Sequence, residues 1–473
     1  MSTISAATEV HIDHVVAGRL VQGAEIEHRS RDRGATLRTP PIDVGALASP
    51  RSVPPPAADI PVAGVVEFLA KVSDRLVLAE NEHLQHALDT VVPLSTAPRA
   101  ILEREYTQLG RAFSREVLER QLDTIDAAAL DGWRLVPTAN GRASRVRAYP
   151  PRLVHLLAGN SPSVAAMTIV WTALLKGIGL LKMPSNDPCT AVAILRTMAD
   201  IDPDHPVVQS FSAVYWRGGA TEIEGVLLRP QYFDKLVAWG GEAALRHAKQ
   251  YIGPGFELVA FDPKSSISFV GREAFADDAT LRRAVDAAAT DTTLLNQDAC
   301  ASSRFHYVEG SVEDVDRYCE ALLPALGIER AMATASGDPT PGELRDEVDV
   351  LRELEPDYRV WGDYSGAGLV VRSDSPIDSH PDKRTVNVIP VASLQQAATH
   401  ATVATQTVGV FPADRRSEIR DVLAARGVQR VVTLGEAGNM EMLLGLPHDG
   451  MYVLPRMARW VVEQGGLIET AQG

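Results

Sequence analysis

Cysteine is scarce in this sequence, and the shortage excludes several classes of protein. The chain of 473 residues has three cysteines, Cys189, Cys300 and Cys319. They are too few and too far apart for the disulfide framework of a small secreted domain, and none has the spacing of a zinc ligand set. We therefore predict no metal site and a reducing compartment, the cytoplasm.

Positive charge and long hydrophobic runs are lacking as well. Lysine and arginine total 46 against 61 aspartates and glutamates, a net charge of −15, so we predict no nucleic-acid partner. The longest apolar run, residues 164–181, is interrupted by Lys176 and two glycines. It predicts a buried helix and a strand rather than a membrane span. Residues 1–10 have no basic start and no apolar core, so no signal peptide is expected.

The sequence does contain a long alternation of strand-like and helix-like segments. The hydrophobic content of 45% over this length is enough for two or three domains. Between residues 153 and 261, short apolar strands alternate with helical segments, which predicts a doubly wound parallel sheet. Such sheets bind ligands at the carboxyl ends of their strands.

Residues 133–150, WRLVPTANGRASRVRAYP, predict a long β-hairpin. Asn140-Gly141 is a strong type I′ turn signal between two strand-like arms. The hairpin has no obvious core of its own, and an isolated hairpin is marginally stable in water. We therefore expect it to pair with another subunit.

Cys300 differs from the other two cysteines in its surroundings. It lies in TTLLNQDACASSR, residues 292–304, where a polar turn meets small and hydroxyl-bearing residues. Cys189 begins a predicted helix, and Cys319 lies within one. A nucleophilic thiolate needs access and nearby backbone N–H groups, whereas most free cysteines are buried small hydrophobes. The loop alone supports both interpretations equally.

Three polar side chains follow strands of the predicted sheet. The amide of Asn160 could donate to a developing oxyanion, although an ordinary turn also explains an asparagine here and is favoured by the residue alone. Lys182 ends the second strand, where it could hold a ribose or phosphate or be a plain edge lysine. Ser185 could bond to the same ligand.

Two further sites are candidates on weaker signals. Gly240 and Gly241 precede a helix, where missing side chains let a diphosphate approach; a plain strand-to-helix turn is the alternative. They do not form a G-x-G-x-x-G fingerprint. His448 could donate a proton or bind the substrate, but a loop histidine bonded to Asp449 is the simpler explanation.

Taken together, these motifs resemble the aldehyde dehydrogenase superfamily, and within it the acyl-CoA reductase branch. AGNSPSV, LLKMPSND, VAWGG, NQDACASSR and LPHDGM follow one another in the order of that branch, which includes the fatty-acid reductase subunit of bacterial bioluminescence. The resemblance covers roughly residues 133–462. It implies an α/β, aldehyde-dehydrogenase-like fold: a doubly wound cofactor-binding domain, an α/β catalytic domain and an oligomerisation hairpin.

On this resemblance we divide the chain into four regions. Residues 1–60 are a poorly patterned N-terminal extension, with a proline-rich stretch at 39–56. Residues 61–265 are the cofactor-binding domain with the hairpin at 133–150, and residues 266–450 are the catalytic domain. Residues 451–473 are a C-terminal oligomerisation strand.

The resemblance also implies roles for individual residues. Cys300 would take the acyl group as a thioester, and Asn160 with the backbone N–H of Cys300 would form the oxyanion hole. Glu257 matches the glutamate that activates water in hydrolytic relatives. The implied cofactor residues are Lys182 and Ser185 at the adenine ribose, and Gly240 and Gly241 at the diphosphate.

Three departures from hydrolytic relatives refine this picture. Ser185 stands where NAD-preferring members often carry a glutamate, so the 2′-phosphate of NADPH would not be repelled. The glutamate and phenylalanine that contact the nicotinamide ribose are absent from TVNVIPV, residues 385–391. The spacing from Glu257 to Lys264 is longer, which would keep Glu257 from the thioester and suits a reductase.

The sequence thus predicts NADPH-dependent reduction of a fatty acyl thioester to the aldehyde by a homo-oligomer. The donor would be a fatty acyl-CoA or an acyl carrier, and an acyl-protein synthetase is a candidate partner. One alternative is an aldehyde dehydrogenase working oxidatively, which Glu257 supports and the missing nicotinamide contacts oppose. The other is a non-catalytic acyl-carrier-binding scaffold, which the presence of Cys300 and Asn160 opposes.

Overall fold

The structure is a computed structural model that describes residues 9–137, 142–439 and 441–467. The chain divides into two units. The first comprises Met1–Thr96, Glu105–Asp262 and Glu441–Gly473, and the second comprises Ala97–Arg104 and Pro263–Met440. This division differs from the predicted one at both ends of the chain, because the N-terminal segment and residues from 441 onward belong to the first unit.

The N-terminal segment, predicted as a poorly patterned extension, contains short strands. The strands are β1 Glu9–His11, β2 His14–Val16, β3 Arg19–Val21, β4 Ile26–Arg29 and β5 Thr36–Thr39. Each has three or four residues, which is too short for a period-two pattern to stand out. β1, β5 and β4 form one small sheet, whereas β2 and β3 join the large sheet of the first unit.

Helices follow the N-terminal strands. The proline-rich stretch contains only one helical turn. The helices are α1 Val44–Leu47, α2 Val62–Arg75, α3 Glu82–Val91, α4 Arg99–Gln108, α5 Arg115–Leu122 and α6 Ala127–Asp131. The apolar face of α2 is buried, as its three- and four-residue spacing requires.

A parallel sheet forms the centre of the first unit. Its elements are β8 Arg152–Leu156, α7 Pro162–Leu174, β9 Ile178–Lys182, α8 Thr190–Ile201, α9 Pro206–Gln209, β10 Phe211–Val214, α10 Thr221–Leu227, β11 Lys235–Trp239, α11 Glu242–Lys249 and β12 Glu257–Phe261. The strand order is β12-β11-β8-β9-β10-β2-β3. The order reverses between β8 and β11, so the ligand crevice of a doubly wound sheet lies at the carboxyl ends of these two strands.

The predicted hairpin and C-terminal strand meet in a separate antiparallel sheet of the first unit. β6 Arg134–Pro137 and β7 Arg142–Tyr149 form the hairpin arms, and β20 Arg459–Leu467 pairs with β7. The predicted Asn140-Gly141 turn lies outside the described residues. The helix α17 Val453–Met457 occupies part of the region predicted as strand. The hairpin therefore has a partner strand within its own chain.

The second unit is built on another mostly parallel sheet. Its elements are β13 Ser265–Val270, α12 Asp278–Thr292, β14 Ser303–Glu309, α13 Val312–Leu326, α14 Gly342–Arg352, β15 Arg359–Gly362, β16 Leu369–Arg372, β17 Thr385–Val391, α15 Leu394–Ala398, β18 Thr405–Phe411, α16 Arg416–Ala425 and β19 Arg430–Thr433. The order is β15-β16-β17-β14-β13-β18-β19, with only β15 antiparallel to its neighbour. Apolar residues of α12 and α13 cover one face and those of α15 and α16 the other.

The apolar run at residues 164–181 is a buried helix and strand, as predicted. α7 is buried almost all round, and β9 lies inside the sheet. Across the described ranges, the helices lack the combination of length and apolarity that a membrane crossing requires.

Candidate active site

The carboxyl edge of the first sheet gathers the predicted oxyanion residue Asn160 and most of the predicted cofactor residues. Asn160 follows β8, Lys182 is the last residue of β9, and Gly240 and Gly241 follow β11. These turns flank the point where the strand order reverses. The side chain of Asn160 is exposed in the loop that leads into α7.

Glu105, which no sequence pattern indicated, supports that loop through hydrogen bonds. Its carboxylate accepts a hydrogen bond from Ser163 Oγ at 3.4 Å, and the hydroxyl of Ser161 bonds to it as well. Glu105 is buried, and burial raises its pKa to about 7, with a further contribution from nearby Asp187. A buried carboxyl thus holds the first turn of α7, directly after Asn160.

Gly159, next to Asn160, is required by packing rather than by a ligand. A Cβ atom at this position would lie 1.8 Å from Asn186 Oδ1. Asn186 in turn donates to Asp32 Oδ2 at 2.8 Å, which ties the turn to the N-terminal segment.

Cationic side chains gather around Lys182. Its Nζ lies 5.5 Å from the centre of the Tyr215 ring, and burial lowers its pKa to about 8. Burial followed by the charges of Arg217 and Lys182 lowers the pKa of His28, which packs edge-on against Tyr215. The backbone N–H of Arg31 donates to Ser185 Oγ at 3.2 Å. The surroundings of Lys182 and Ser185 therefore suit an anion, and part of them comes from the N-terminal segment.

His448 lies in an aromatic cluster at the carboxyl ends of β11 and β12. Its ring is 5.5 Å from those of Trp239 and Phe261, which stack on each other at 3.6 Å. The backbone of His448 exchanges two 3.0 Å hydrogen bonds with Met451. His448 therefore lies at the carboxyl edge of the sheet, near Gly240 and Gly241.

Glu257 is at the opposite end of the sheet from these residues, so its predicted catalytic position is corrected. It begins β12, which places it about 13 Å from the carboxyl end of that strand. Its Oε2 accepts from Arg456 at 3.0 Å and from Lys235 at 3.3 Å. The bond to Arg456, followed by the charge of Lys235, lowers its pKa. Glu257 is an ion-pair residue, and the carboxyl end of β12 carries Phe261 instead.

Cys300 is reached in the second unit through a left-handed turn. Leu295, Asn296 and Gln297 have φ values of 50°, 55° and 76°. Each such residue costs about 1–2 kcal/mol relative to a right-handed conformation, so the surroundings must fix the turn. Cys300 follows three residues later, at the amino end of β14, and is exposed.

Side-chain hydrogen bonds hold this turn in place. Asn296 Oδ1 accepts from Thr334 N at 3.1 Å and from Arg384 Nη2 at 2.6 Å. Gln297 Nε2 donates to Thr385 O at 2.9 Å, and Arg304 Nη2 donates to Gln297 O at 2.7 Å. The strain before Cys300 is thus offset by buried polar groups on neighbouring segments.

Two neighbouring strands hold Cys300 itself. Ser266 Oγ, on β13, donates to Cys300 O at 2.8 Å. Gln406 Nε2, on β18, donates to Cys300 Sγ at 3.1 Å, and Gln406 is buried. Neither β18 nor Gln406 was predicted, because TQTVGVF begins with polar residues and resembles a loop.

The other two cysteines have no such access. Cys189 and Cys319 are buried. Burial raises the pKa of both thiols far above the usual range, so both remain protonated at neutral pH. Within the described segments, the acidic, histidine and cysteine side chains form no cluster that could hold a metal ion.

Comparison with known proteins decides the family. The family model for acyl-CoA reductase (LuxC) matches residues 57–460. This chain belongs to the acyl-CoA reductase (LuxC) family. The matched range includes Asn160, Cys300 and His448, whereas Arg31 precedes it.

Curated relatives in the acyl-CoA reductase family are long-chain acyl-protein thioester reductases. Those of Photorhabdus laumondii and Vibrio harveyi are 29% and 28% identical over 334 and 323 residues. The match covers 67% of this chain and 65% of each relative. The one from Aliivibrio fischeri is 30% identical over 322 residues, covering 67% of this chain and 64% of the relative. The chain thus spans about two thirds of the length of these relatives.

Solved structures place this acyl-CoA reductase family member in the aldehyde dehydrogenase fold. Aldehyde dehydrogenase 21 of Physcomitrella patens has a TM-score of 0.72 at 14% identity, covering 98% of this chain and 100% of that one. The NADP-dependent glyceraldehyde-3-phosphate dehydrogenase of Bacillus halodurans has a TM-score of 0.70 at 14% identity, covering 97% and 99%. The predicted fold class is confirmed.

Proposed function

We propose that this chain reduces a long-chain acyl thioester to the aldehyde, with NADPH as reductant and Cys300 as the acylated residue. The donor is a fatty acyl-CoA or an acyl-carrier thioester, including one on a partner such as an acyl-protein synthetase. Family membership and the names of the thioester reductases to which the chain is similar support the reaction. The functional form is a homo-oligomer.

The observation that carries this proposal is the setting of Cys300. It is the exposed cysteine, it follows a strained turn, and a buried amide donates to its sulfur. Strained backbone that the surroundings hold in place concentrates at functional sites. Cys189 and Cys319 are buried and protonated, so neither offers a competing nucleophile.

The proposed reaction has two steps in which bonds and charges balance. The Cys300 thiolate forms a bond to the acyl carbon, and the donor thiolate leaves and takes up a proton. Reduction of the acyl-enzyme then breaks the bond to Sγ, releasing the aldehyde and restoring the Cys300 thiolate. Each step passes through an oxyanion, for which the resemblance assigns the Asn160 amide and the backbone N–H of Cys300.

NADPH would supply the hydride, and the residues around Lys182 suit its extra phosphate. Lys182 provides positive charge near Ser185, and Arg217 adds positive charge at neighbouring His28, while Arg31 and Asp32 pair at 2.8 Å and offset each other's charge. Gly240 and Gly241 remain the residues that would face the diphosphate, and a Cβ at Gly241 would meet open space. This donor set favours a 2′-phosphate over a bare ribose.

The structure weakens the oxidative alternative. That alternative depended on Glu257 as the base for water, and Glu257 is engaged by Arg456 and Lys235 at the amino end of β12. A thioester without a base for water is reduced rather than hydrolysed. His448 remains a candidate proton donor or substrate-binding residue at the aromatic cluster.

Mass spectrometry of the acyl-enzyme tests the proposal. Incubation with a long-chain acyl-CoA alone should add one acyl mass, labile to hydroxylamine, and NADPH should then discharge it as aldehyde. Cys300→Ala should abolish the adduct and the reduction while retaining NADPH binding. Cys189→Ala and Cys319→Ala are the matched controls and should keep both. An acyl group mapped to Cys189 or Cys319, or full turnover in Cys300→Ala, would refute the mechanism.

A further inference from the structure

The sheet of the second unit has an irregularity at Gln406. β13 and β18 pair in parallel, with Ser265 opposite Thr405 and Ile267 opposite Val408. Between these pairs β13 has one residue, Ser266, and β18 has two, Gln406 and Thr407. This is a β-bulge, which redirects side chains on the longer strand.

The bulge brings both strands to Cys300. Ser266 Oγ accepts from Thr407 N at 3.2 Å, replacing a regular ladder bond, and donates to Cys300 O at 2.8 Å. The extra residue places Gln406 Nε2 3.1 Å from Cys300 Sγ. Ser266 thereby fixes the backbone of Cys300, while Gln406 contacts its sulfur.

We propose that Gln406 is a catalytic residue that donates a hydrogen bond to the Cys300 thiolate. A hydrogen bond that favours the charged form of a group stabilises that form, and bonds to an ionised partner are roughly twice as strong as neutral ones. The amide carries no net charge, so it supports the thiolate without competing for its proton.

The role of Gln406 follows from where the thiolate occurs in the reaction, and it rests on the proposed function. The thiolate is present before acylation and again when the bond between the acyl carbon and Sγ breaks. A donor to sulfur stabilises both states and has less effect on the neutral thioester between them. Gln406 therefore assists the formation of the nucleophile and its departure.

The pH dependence of Cys300 alkylation tests the inference without substrate or cofactor. Iodoacetamide modification of Cys300 is followed by peptide mass spectrometry from pH 6 to 10 in the wild type and in Gln406→Met, which keeps the volume and removes the donor. Loss of a charged hydrogen bond should move the midpoint of the rate profile upward by about one pH unit. The rate at pH 7 should fall about threefold, because the scarcer thiolate is also more nucleophilic.

A crossing of the two rate profiles separates this effect from a structural one. Above both midpoints the variant should react somewhat faster than the wild type, whereas simple misplacement or burial of Cys300 slows alkylation at every pH. Thr407→Val is the matched control, since Thr407 is buried on the same bulge and its backbone bond to Ser266 is retained. Its midpoint should be unchanged.

The outcomes are decisive and independent of the reductase activity. An unchanged midpoint in folded Gln406→Met, or an equal shift in Thr407→Val, overturns the inference. If Gln406→Met does not fold, Gln406→Glu serves in its place and should raise the midpoint further, because it sets a carboxylate against the thiolate. Failure of acyl-enzyme formation in the wild type with a shifted midpoint in Gln406→Met refutes the proposed function, and with it the catalytic role of Gln406, while the hydrogen bond from Gln406 to the Cys300 thiolate still stands.

Discussion

Under the proposed function, the choice between NADPH and NADH depends on Ser185. We expect Ser185→Glu to weaken NADPH binding at least tenfold relative to NADH, because the new carboxylate would repel the 2′-phosphate. Titration of each cofactor, followed by protein fluorescence, measures both affinities. Asp32→Asn is an informative comparison, since removing the carboxylate paired with Arg31 should favour NADPH further. Equal or better binding of NADH by the wild type would contradict the argument.

Glu105 makes stability depend on pH in the neutral range. Burial raises its pKa from 4.5 to about 7, so the folded chain binds this proton more tightly than the unfolded chain does. Its favourable contribution is present below pH 4.5 and is lost as pH rises through 7, a change of up to about 3 kcal/mol.

Glu105→Gln removes this dependence. Urea unfolding should show that the variant gains stability over the wild type between pH 5 and pH 8. Glu67→Gln, an exposed position on α2, is the control and should give a constant difference. A constant difference for Glu105→Gln as well would mean that the carboxyl is already ionised in the fold at pH 5.

The conformation of the left-handed turn before Cys300 depends on hydrogen bonds from neighbouring segments. Asn296→Ala removes the acceptor of Thr334 N and Arg384 Nη2 and puts alanine at a φ of 55°. We expect the free energy of unfolding to fall by about 2–4 kcal/mol, from urea denaturation. Asn296→Gly should lose about 1 kcal/mol less, because glycine tolerates this φ. Equal losses would show that the backbone conformation adds nothing.

Sequence reasoning succeeded for elements whose signal is local. β8, β9, β11 and β12 have apolar residues and end in turn-forming residues, so these strands and their parallel pairing could be predicted, whereas their order within the sheet was not. The polar turn before Cys300 was also predicted, but its left-handed conformation at residues 295–297 was not, because Leu295 is no turn signal and distant Arg384 and Thr385 stabilise it. β18 was missed for the same reason: Gln406 is a polar residue in a buried strand, and only the bulge opposite Ser266 explains it.

Within the candidate site, too, some residues could be predicted from the sequence and others could not. Loop composition, strand ends and motif order together identified Asn160, Lys182 and Cys300, and their assigned roles stay predictions. Glu257 was misplaced because its spacing to Lys264 is longer than in hydrolytic relatives. The sequence does not reveal that β12 begins at Glu257. Phe261, the last residue of β12, occupies the carboxyl end of the strand instead.

At the scale of the whole molecule, we predict a homo-oligomer through the sheet of β6, β7 and β20. Trp460 and Val462 are 44% and 55% exposed, and the strand register places Val462 beside Val146 on one face. Light scattering at micromolar concentration should give a multiple of the chain mass. Val462→Glu should lower it, whereas Glu463→Gln, on the opposite face, should not. A monomeric wild type would refute the prediction.

The pairing of β10 with β2 shows that the residues matched by the family model are not the whole folded sheet. The family model begins at residue 57, yet His14–Val16 and Arg19–Val21 complete the edge of the sheet whose other strands lie inside the match. A boundary drawn from sequence similarity would therefore cut through a single folded layer. A fragment starting at residue 57 would leave β10 as a bare edge, which invites pairing between chains.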